Sequence, residues 1–236
     1  MVIVVVLAGA LGAILGSLAA CLGYRLPRGI SPWGRSFCPA CKQVLGPVDL
    51  IPILGYFFTK RHCRYCKVKI SPIYLMPEIT LAFLSALLMF LLGPTPLYFL
   101  YMVLLTVTAI AAVSDLGTEI IPDSLILSLI LFALPFILWT KSIPVWFALL
   151  GAITGVAAML LPGLLTKKYP GGGDIKLTGA IGFYLGPFGV ACVVLLAAVT
   201  GLIGQGYKGK REFAFAPYLY VGVIGTVFIS LSGLIN

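Results

Sequence analysis

Histidine is almost missing from this chain of 236 residues, which has one, and acids are scarce: seven Asp and Glu against sixteen Lys and Arg. The one histidine, His62, sits among cysteines, which leaves serine or cysteine proteolysis poorly supported, since both want a histidine base beside the nucleophile. Charge of either sign is thin. Only 10% of residues are charged and 61% are hydrophobic, with a mean hydropathy of +1.11, too little charge to cover the surface of a soluble domain of this length. The short alternating segments of a β-barrel are absent, and so is the Gly-Lys-Ser/Thr ending of a phosphate-cradling loop. No positive stretch precedes the first apolar run; Arg25 and Arg28 follow it. Leu18-Ala-Ala-Cys21 looks like a lipoprotein processing site, but with that charge order the segment reads as a retained helix rather than a cleaved signal.

What the chain does have is a succession of apolar runs long enough to cross a hydrocarbon core. It reads as an all-α polytopic membrane protein of about eight transmembrane helices, at about 2–23, 73–92, 97–114, 124–140, 143–165, 175–186, 188–204 and 215–235. The sixth is short for a crossing and ends at Gly186-Pro187, so seven spans or a re-entrant segment stay open. With eight spans, one side receives the loops 24–72, 115–123, 166–174 and 205–214, which with Lys176 hold 15 of the 16 basic residues; the other side has Lys141 alone. The positive-inside rule then predicts termini outside and the large loops in the cytoplasm of a bacterial inner membrane. The charge of +9 is accounted for by anionic lipid headgroups, without nucleic acid.

Three parts follow: a first helix (1–23), a cytoplasmic domain (24–72) and a membrane domain (73–236). The cytoplasmic part contains Cys38-Pro-Ala-Cys41 and Cys63-Arg-Tyr-Cys66, with 21 residues between the pairs. That is a zinc-ribbon-like pattern, in which four thiolates from two knuckles close a tetrahedral site. About fifty residues cannot bury much core, so a structural zinc ion would give the segment its fold. Disulfides are the alternative, disfavoured in a reducing cytosol. Cys21 and Cys192 lie in apolar spans as packing residues, and His62 is read as a solvated neighbour of Cys63.

Each acid can be weighed in turn. Asp49 and Glu212 are expected in solvated ion pairs. Glu78 falls one turn into the second span, where a carboxylate needs an interface or a polar cavity. Asp123, after Pro122, reads as a cap for the fourth span. Asp115 closes the third span and Asp174 opens the sixth; the 58 positions between them include one outward and one inward crossing. Both therefore fall at the cytoplasmic membrane edge. Two carboxylates together in a partly dry site cannot both ionise easily, which is what aspartyl proteolysis requires. Alternatively, Asp174 N-caps a helix from Ile175, or the two acids serve a proton- or metal-coupled transporter. Gly171, Gly172 and Gly173 would let a peptide backbone come close to Asp174, with positive φ available to aim it.

Taken together, these residues resemble the type IV prepilin peptidases, membrane aspartyl proteases of the GxGD class. Gly171-Gly-Gly-Asp174 followed by Ile175-Lys-Leu177 matches that motif, and Ser114-Asp115 with Ile120-Ile-Pro122 resembles the segment around the first catalytic aspartate. Tyr24-Arg-Leu-Pro27, the two cysteine pairs, Ile51-Pro-Ile-Leu54, Ile70-Ser-Pro72 and Phe213-Ala-Phe-Ala-Pro217 fall in the family's order. The resemblance implies cleavage of the basic leader of type IV prepilins or pseudopilins after a glycine on the cytoplasmic side, with Asp115 and Asp174 as the dyad. It also implies N-methylation of the new terminus with S-adenosylmethionine, where Glu78 serves the methylation site or the loop's packing. Lys60-Arg-His62 stands where the family often has Arg-Gly-Lys, and Gly55 where many members have Ser.

Overall fold

The structure, a computed structural model, describes residues 1–140, 144–167, 170–208 and 214–232. Among them every regular element is helical, and the only strand-like pairings are the isolated bridges Phe37–Val44 and His62–Lys69. The helices are α1 (Val2–Arg25), α2 (Leu54–Phe58), α3 (Leu75–Leu92), α4 (Pro96–Thr118), α5 (Asp123–Thr140), α6 (Val145–Thr166), α7 (Gly172–Lys208) and α8 (Ala216–Leu231). Five stretches are long and apolar enough to cross a membrane: Val2–Arg28, Pro72–Leu92, Pro96–Thr118, Val145–Leu164 and Gly172–Gly204; Asp123–Leu138 and Ala216–Leu231 are apolar but shorter. Lys141 and Glu212 lie outside the described residues.

The chain forms two compact units, Met1–Tyr98 and Phe99–Asn236. In the first, α1 runs along α3. Gly12 faces the Leu81 carbonyl and Gly16 faces the backbone of Pro77 and Glu78, so closely that a side chain on either would collide. Small residues at this spacing let two apolar helices reach backbone contact, the main source of association where there is no water to exclude. The Ser85 hydroxyl adds a bond to the Ala8 carbonyl at 2.6 Å and lies 2.7 Å from the Tyr98 hydroxyl. Between α1 and α3 the chain leaves the helical pair to form the cysteine-bearing segment. Arg25 anchors that segment: fully buried, its guanidinium donates to the carbonyls of Ser31, Pro32, Gly34 and Arg35.

In the second unit α7 is the hub, packed along α6 and against α5 and α8. Gly151 and Gly182 bring α6 and α7 together backbone to backbone, and the Tyr184 hydroxyl donates to the Leu129 carbonyl of α5 at 2.9 Å. The sequence predicts two spans here with a break at Gly186-Pro187. The structure has that break within α7: two helical stretches meet at a kink where Gly186 is non-helical, at φ 70°, with the Phe147 ring against it. That backbone conformation suits glycine, and Pro187 removes the amide a continuous helix would use. The helix also starts earlier than predicted, at Gly172 rather than Ile175.

Candidate active site and metal centre

Asp115 stands near the end of α4 and is 5% exposed. Its Oδ2 accepts the Ala216 amide at 2.9 Å, and the Phe215 backbone contributes another hydrogen bond. These donors are the free amides at the start of α8, where Pro217 in the first turn favours helix initiation. A helix N-terminus thus clasps the carboxylate. On the other flank, the Ser114 hydroxyl donates to the Ile120 carbonyl at 2.6 Å and the Glu119 amide to the Asp115 carbonyl at 2.9 Å. Together they fold the chain back after α4.

Asp174 lies in the first turn of α7, near enough to Asp115 for the two charges to interact. Its Oδ1 is buried with no hydrogen-bond partner. That argues against a capping role: the helix already begins at Gly172, and a cap oxygen would be occupied by an amide. An orphaned buried carboxylate oxygen is costly, and where it persists it calls for a functional account.

The three glycines differ from the expectation. None has positive φ; smallness is what the structure uses. A side chain on Gly173 would press on Ile121 at 3.0 Å, one on Gly171 would sit 3.2 Å from Asp174 Oδ2, and one on Gly172 would meet nothing within 4 Å. Gly172 is therefore the open face beside Asp174. Asp123 heads α5 and pairs with Lys176 at 2.8 Å, both exposed. Sequence reasoning did not identify the clasp on Asp115. Its only sequence signal was Ala216-Pro217 ahead of the last apolar run, a helix start whose carboxylate partner lies a hundred residues away.

In the first unit the Sγ atoms of Cys38, Cys41, Cys63 and Cys66 all lie within 4.8 Å of one another, and Cys38 Sγ is 3.9 Å from Cys66 Sγ. A tetrahedron with metal–sulfur bonds of about 2.3 Å has edges of about 3.8 Å, so the four thiols fit one metal ion. The knuckles are built alike. Cys38 N–H donates to Gln43 and Lys42 N–H returns to Cys38; Cys63 N–H donates to Val68 and Lys67 N–H returns to Cys63, all at 2.9–3.0 Å. Lys42 and Lys67 both adopt φ near 60°, turning each second cysteine back onto the first.

The electrostatics also fit a cation. Amides of Cys66 and Tyr65 bring the Cys63 thiol down to about 7. Against the Val68 amide, which favours its thiolate, desolvation and the three neighbouring thiols push Cys66 up to about 11. Four thiolates cannot share this volume unless a cation neutralises them. His62 stays outside: it is exposed, with Nδ1 2.6 Å from the Lys60 carbonyl. Asp49, expected in a solvated pair, is paired with Arg64 at 2.7 Å, but its side chain is only 7% exposed. Asp49 lies within the Pro47–Leu50 turn, and Gly55 of α2 packs against its carbonyl.

Glu78 is half-buried against a cavity of about 390 Å³ between α1, the cysteine-bearing segment and the start of α3. Its Oε2 accepts the Ile53 amide at 2.7 Å, and Ser17 contributes a second hydrogen bond. The cavity is mostly apolar, so the carboxylate is accommodated by the Ile53 amide and Ser17 rather than by polar surroundings.

Family models match two segments: a Bacterial Peptidase A24 N-terminal domain over residues 10–92 and a Type IV leader peptidase family over residues 102–205. One match falls inside each compact unit. Among curated relatives, a prepilin leader peptidase/N-methyltransferase of Bacillus subtilis is 36% identical, covering 90% of this chain and 89% of the relative. A type 4 prepilin-like proteins leader peptide-processing enzyme of Escherichia coli is 32% identical over 83% and 76%. A second prepilin leader peptidase/N-methyltransferase, of Pectobacterium carotovorum, is 30% identical over 91% and 89%. No solved structure matches the chain.

Proposed function

The chain belongs to the type IV leader peptidase family, and on that basis we propose that it cuts the leader from type IV prepilins or pseudopilins with Asp115 and Asp174 as its catalytic pair. The observation that carries the assignment is the contrast within the pair. Asp115 is held by backbone donors at the start of α8, whereas Asp174 keeps a buried oxygen without a partner. Asp115 is the carboxylate that takes a proton from the attacking water. Asp174 carries the shared proton and polarises the scissile carbonyl. The open face at Gly172 admits the substrate backbone, with Gly171 and Gly173 keeping its flanks small. Glu78 lies in the other compact unit and is left out of the cleavage step.

The membrane arrangement that goes with this reading has eight crossings, with α7 counted as two spans meeting at Gly186. Both termini are outside and the dyad sits at the cytoplasmic face of the inner membrane, beside anionic lipid. The division into 1–23, 24–72 and 73–236 belongs to that topology. Zinc is the metal we assign to Cys38, Cys41, Cys63 and Cys66, in a structural role, since all four positions are protein ligands and none is left open.

The relatives' names also carry an N-methyltransferase activity. We extend it to this chain as methylation of the new N-terminus, for which S-adenosylmethionine supplies the methyl group. A proton- or metal-coupled transporter would need acids reachable in turn from both faces, and no arrangement described above favours it.

The test is cleavage of a prepilin leader by purified protein in lipid. Asp115→Asn and Asp174→Asn should each reduce the rate by at least a thousandfold with unfolding midpoints unchanged. Wild-type cleavage by either variant would remove that residue from the dyad.

A further inference from the structure

The cysteine-bearing segment leaves large apolar side chains uncovered. Trp33 is 87% exposed, and Leu54, Phe57 and Phe58 are each more than half exposed. The last three stand at i, i+3 and i+4 on one face of α2, while Gly55 on the opposite face packs on the Asp49 carbonyl. Apolar surface of this kind marks a place where something docks.

Two polar side chains fix the level at which these pieces stand. Arg25 lies three residues inside the end of the apolar stretch Val2–Arg28, and Glu78 six residues inside the start of Pro72–Leu92. Arg25 gathers the carbonyls of Ser31, Pro32, Gly34 and Arg35, the residues on either side of Trp33. Glu78 takes the amide of Ile53, the residue before α2. α1 and α3 run side by side, with Gly16 against Pro77 and Glu78. The loop that bears Trp33 and the start of α2 are therefore tied to the helical pair within its apolar stretches, not raised beyond their ends. Gathering carbonyls onto a guanidinium is also what backbone near hydrocarbon requires, because water does not reach it there.

The charge identifies the occupant. Between Leu26 and Tyr74 the chain has eight Lys and Arg against one acid, Asp49, which is paired with Arg64. Lys60 and Arg61, both exposed, follow α2 closely. Their amides donate back to the carbonyls of Phe57 and Tyr56 at 2.9 and 3.0 Å. Aromatic rings beside lysine and arginine suit the headgroup zone of a bilayer, where the rings lie at the acyl boundary and the cations meet phosphates. A protein partner would not explain why both apolar pieces are tied at the level where the spans end.

We propose that the cysteine-bearing segment is an interfacial anchor: Trp33 and the Leu54–Phe57–Phe58 face enter the headgroup zone of an anionic bilayer, with Lys60 and Arg61 on its phosphates. Such anchoring is independent of leader cleavage and of methyl transfer.

The test begins at Trp33, which is the one tryptophan left in a Trp139→Phe/Trp146→Phe background. The full-length protein is placed in bilayer nanodiscs of phosphatidylglycerol and phosphatidylcholine. Lipids brominated on the upper part of the acyl chain should quench Trp33 fluorescence by at least a third. Absence of lipid quenching overturns the proposal in either of two ways. With strong quenching by acrylamide, Trp33 stands in water; without it, Trp33 is covered by protein, a second copy included.

Trypsin reads α2 with no change at Trp33. Cleavage after Lys60 and Arg61 should be at least fivefold slower in these nanodiscs than in nanodiscs of phosphatidylcholine alone. Phe57→Ser with Phe58→Ser should erase that difference at unchanged zinc content. Equal wild-type rates in the two lipids overturn the role of the charges. Loss of zinc from the double variant would make the two rings part of the metal site's support and overturn the role of α2.

Discussion

Asp115 and Asp174 are chemically identical side chains in different surroundings, and the proposed division of roles between them rests on that difference. Backbone amides surround one and none reaches Oδ1 of the other. A hydrogen bond to a charged group contributes about 1.5–3 kcal/mol, so loosening the start of α8 should be felt at Asp115. The neighbouring glycines give a prediction that separates packing from substrate contact. Gly173→Ala drives a methyl group against Ile121 and should lower the unfolding midpoint. Gly172→Ala meets nothing inside the protein, so it should leave the midpoint unchanged and raise KM for the leader peptide severalfold. Thermal unfolding and steady-state kinetics on the two variants check this. A lowered midpoint in Gly172→Ala would mean that its open face is occupied by the protein itself.

At the level of elements, glycine lets these helices pair. α1 and α3 touch at Gly12 and Gly16, and α6 and α7 at Gly151 and Gly182, each a place where only hydrogen fits. Overfilling a packed contact costs about 1–3 kcal/mol. Gly16→Val and Gly182→Val should therefore each lower the unfolding midpoint in detergent, the first by prising α1 from α3 and the second by separating α6 from α7. The cysteine segment behaves as one element with two equivalent halves. Cys41→Ser leaves three thiolates for the metal, so bound zinc, measured by mass spectrometry of the metal, should fall well below one per chain. Chelator-treated wild type should become protease-sensitive within residues 30–70, because the two short helical pieces there have little core of their own. Protease resistance that survives complete zinc removal would show that Arg25 and the Asp49–Arg64 pair suffice to hold the segment.

At the scale of the whole molecule, the question is how many times the chain crosses. Among the described residues five helical stretches meet the length of a bilayer, two are shorter, and α7 bends at Gly186. With α7 crossing twice, the count is eight and the C-terminus returns to the side of the N-terminus. Alkaline phosphatase joined after Asn236 should then be active and a fluorescent protein at the same point dark. With the N-terminus outside, the reverse pattern requires an odd number of crossings, and α7 would be a single tilted span.

Much of this was legible in the sequence, because membrane crossing is a matter of local composition: a run of apolar residues declares itself without reference to its neighbours. The four cysteines were legible for a similar reason, since each pair is a self-contained turn and only the distance between pairs had to be bridged. The two aspartates were placed on one side by counting crossings between them. What stayed hidden depended on contacts between distant segments. Nothing local in Ala216 marks it as a donor to Asp115, and nothing in Asp49 shows that the residues around it bury its carboxylate while Arg64 stays half exposed. The positive φ available to Gly171–Gly173 is not used, and at Gly173 it is Ile121, far away in sequence, that asks for small size. Sequence by itself determined the apolar helical runs and the two cysteine pairs that come together, and it singled out the two acids. Tertiary structure alone decided which oxygen is held, which is orphaned and which carboxylate borders a cavity, because hydrogen bonding and burial are properties of neighbours in space.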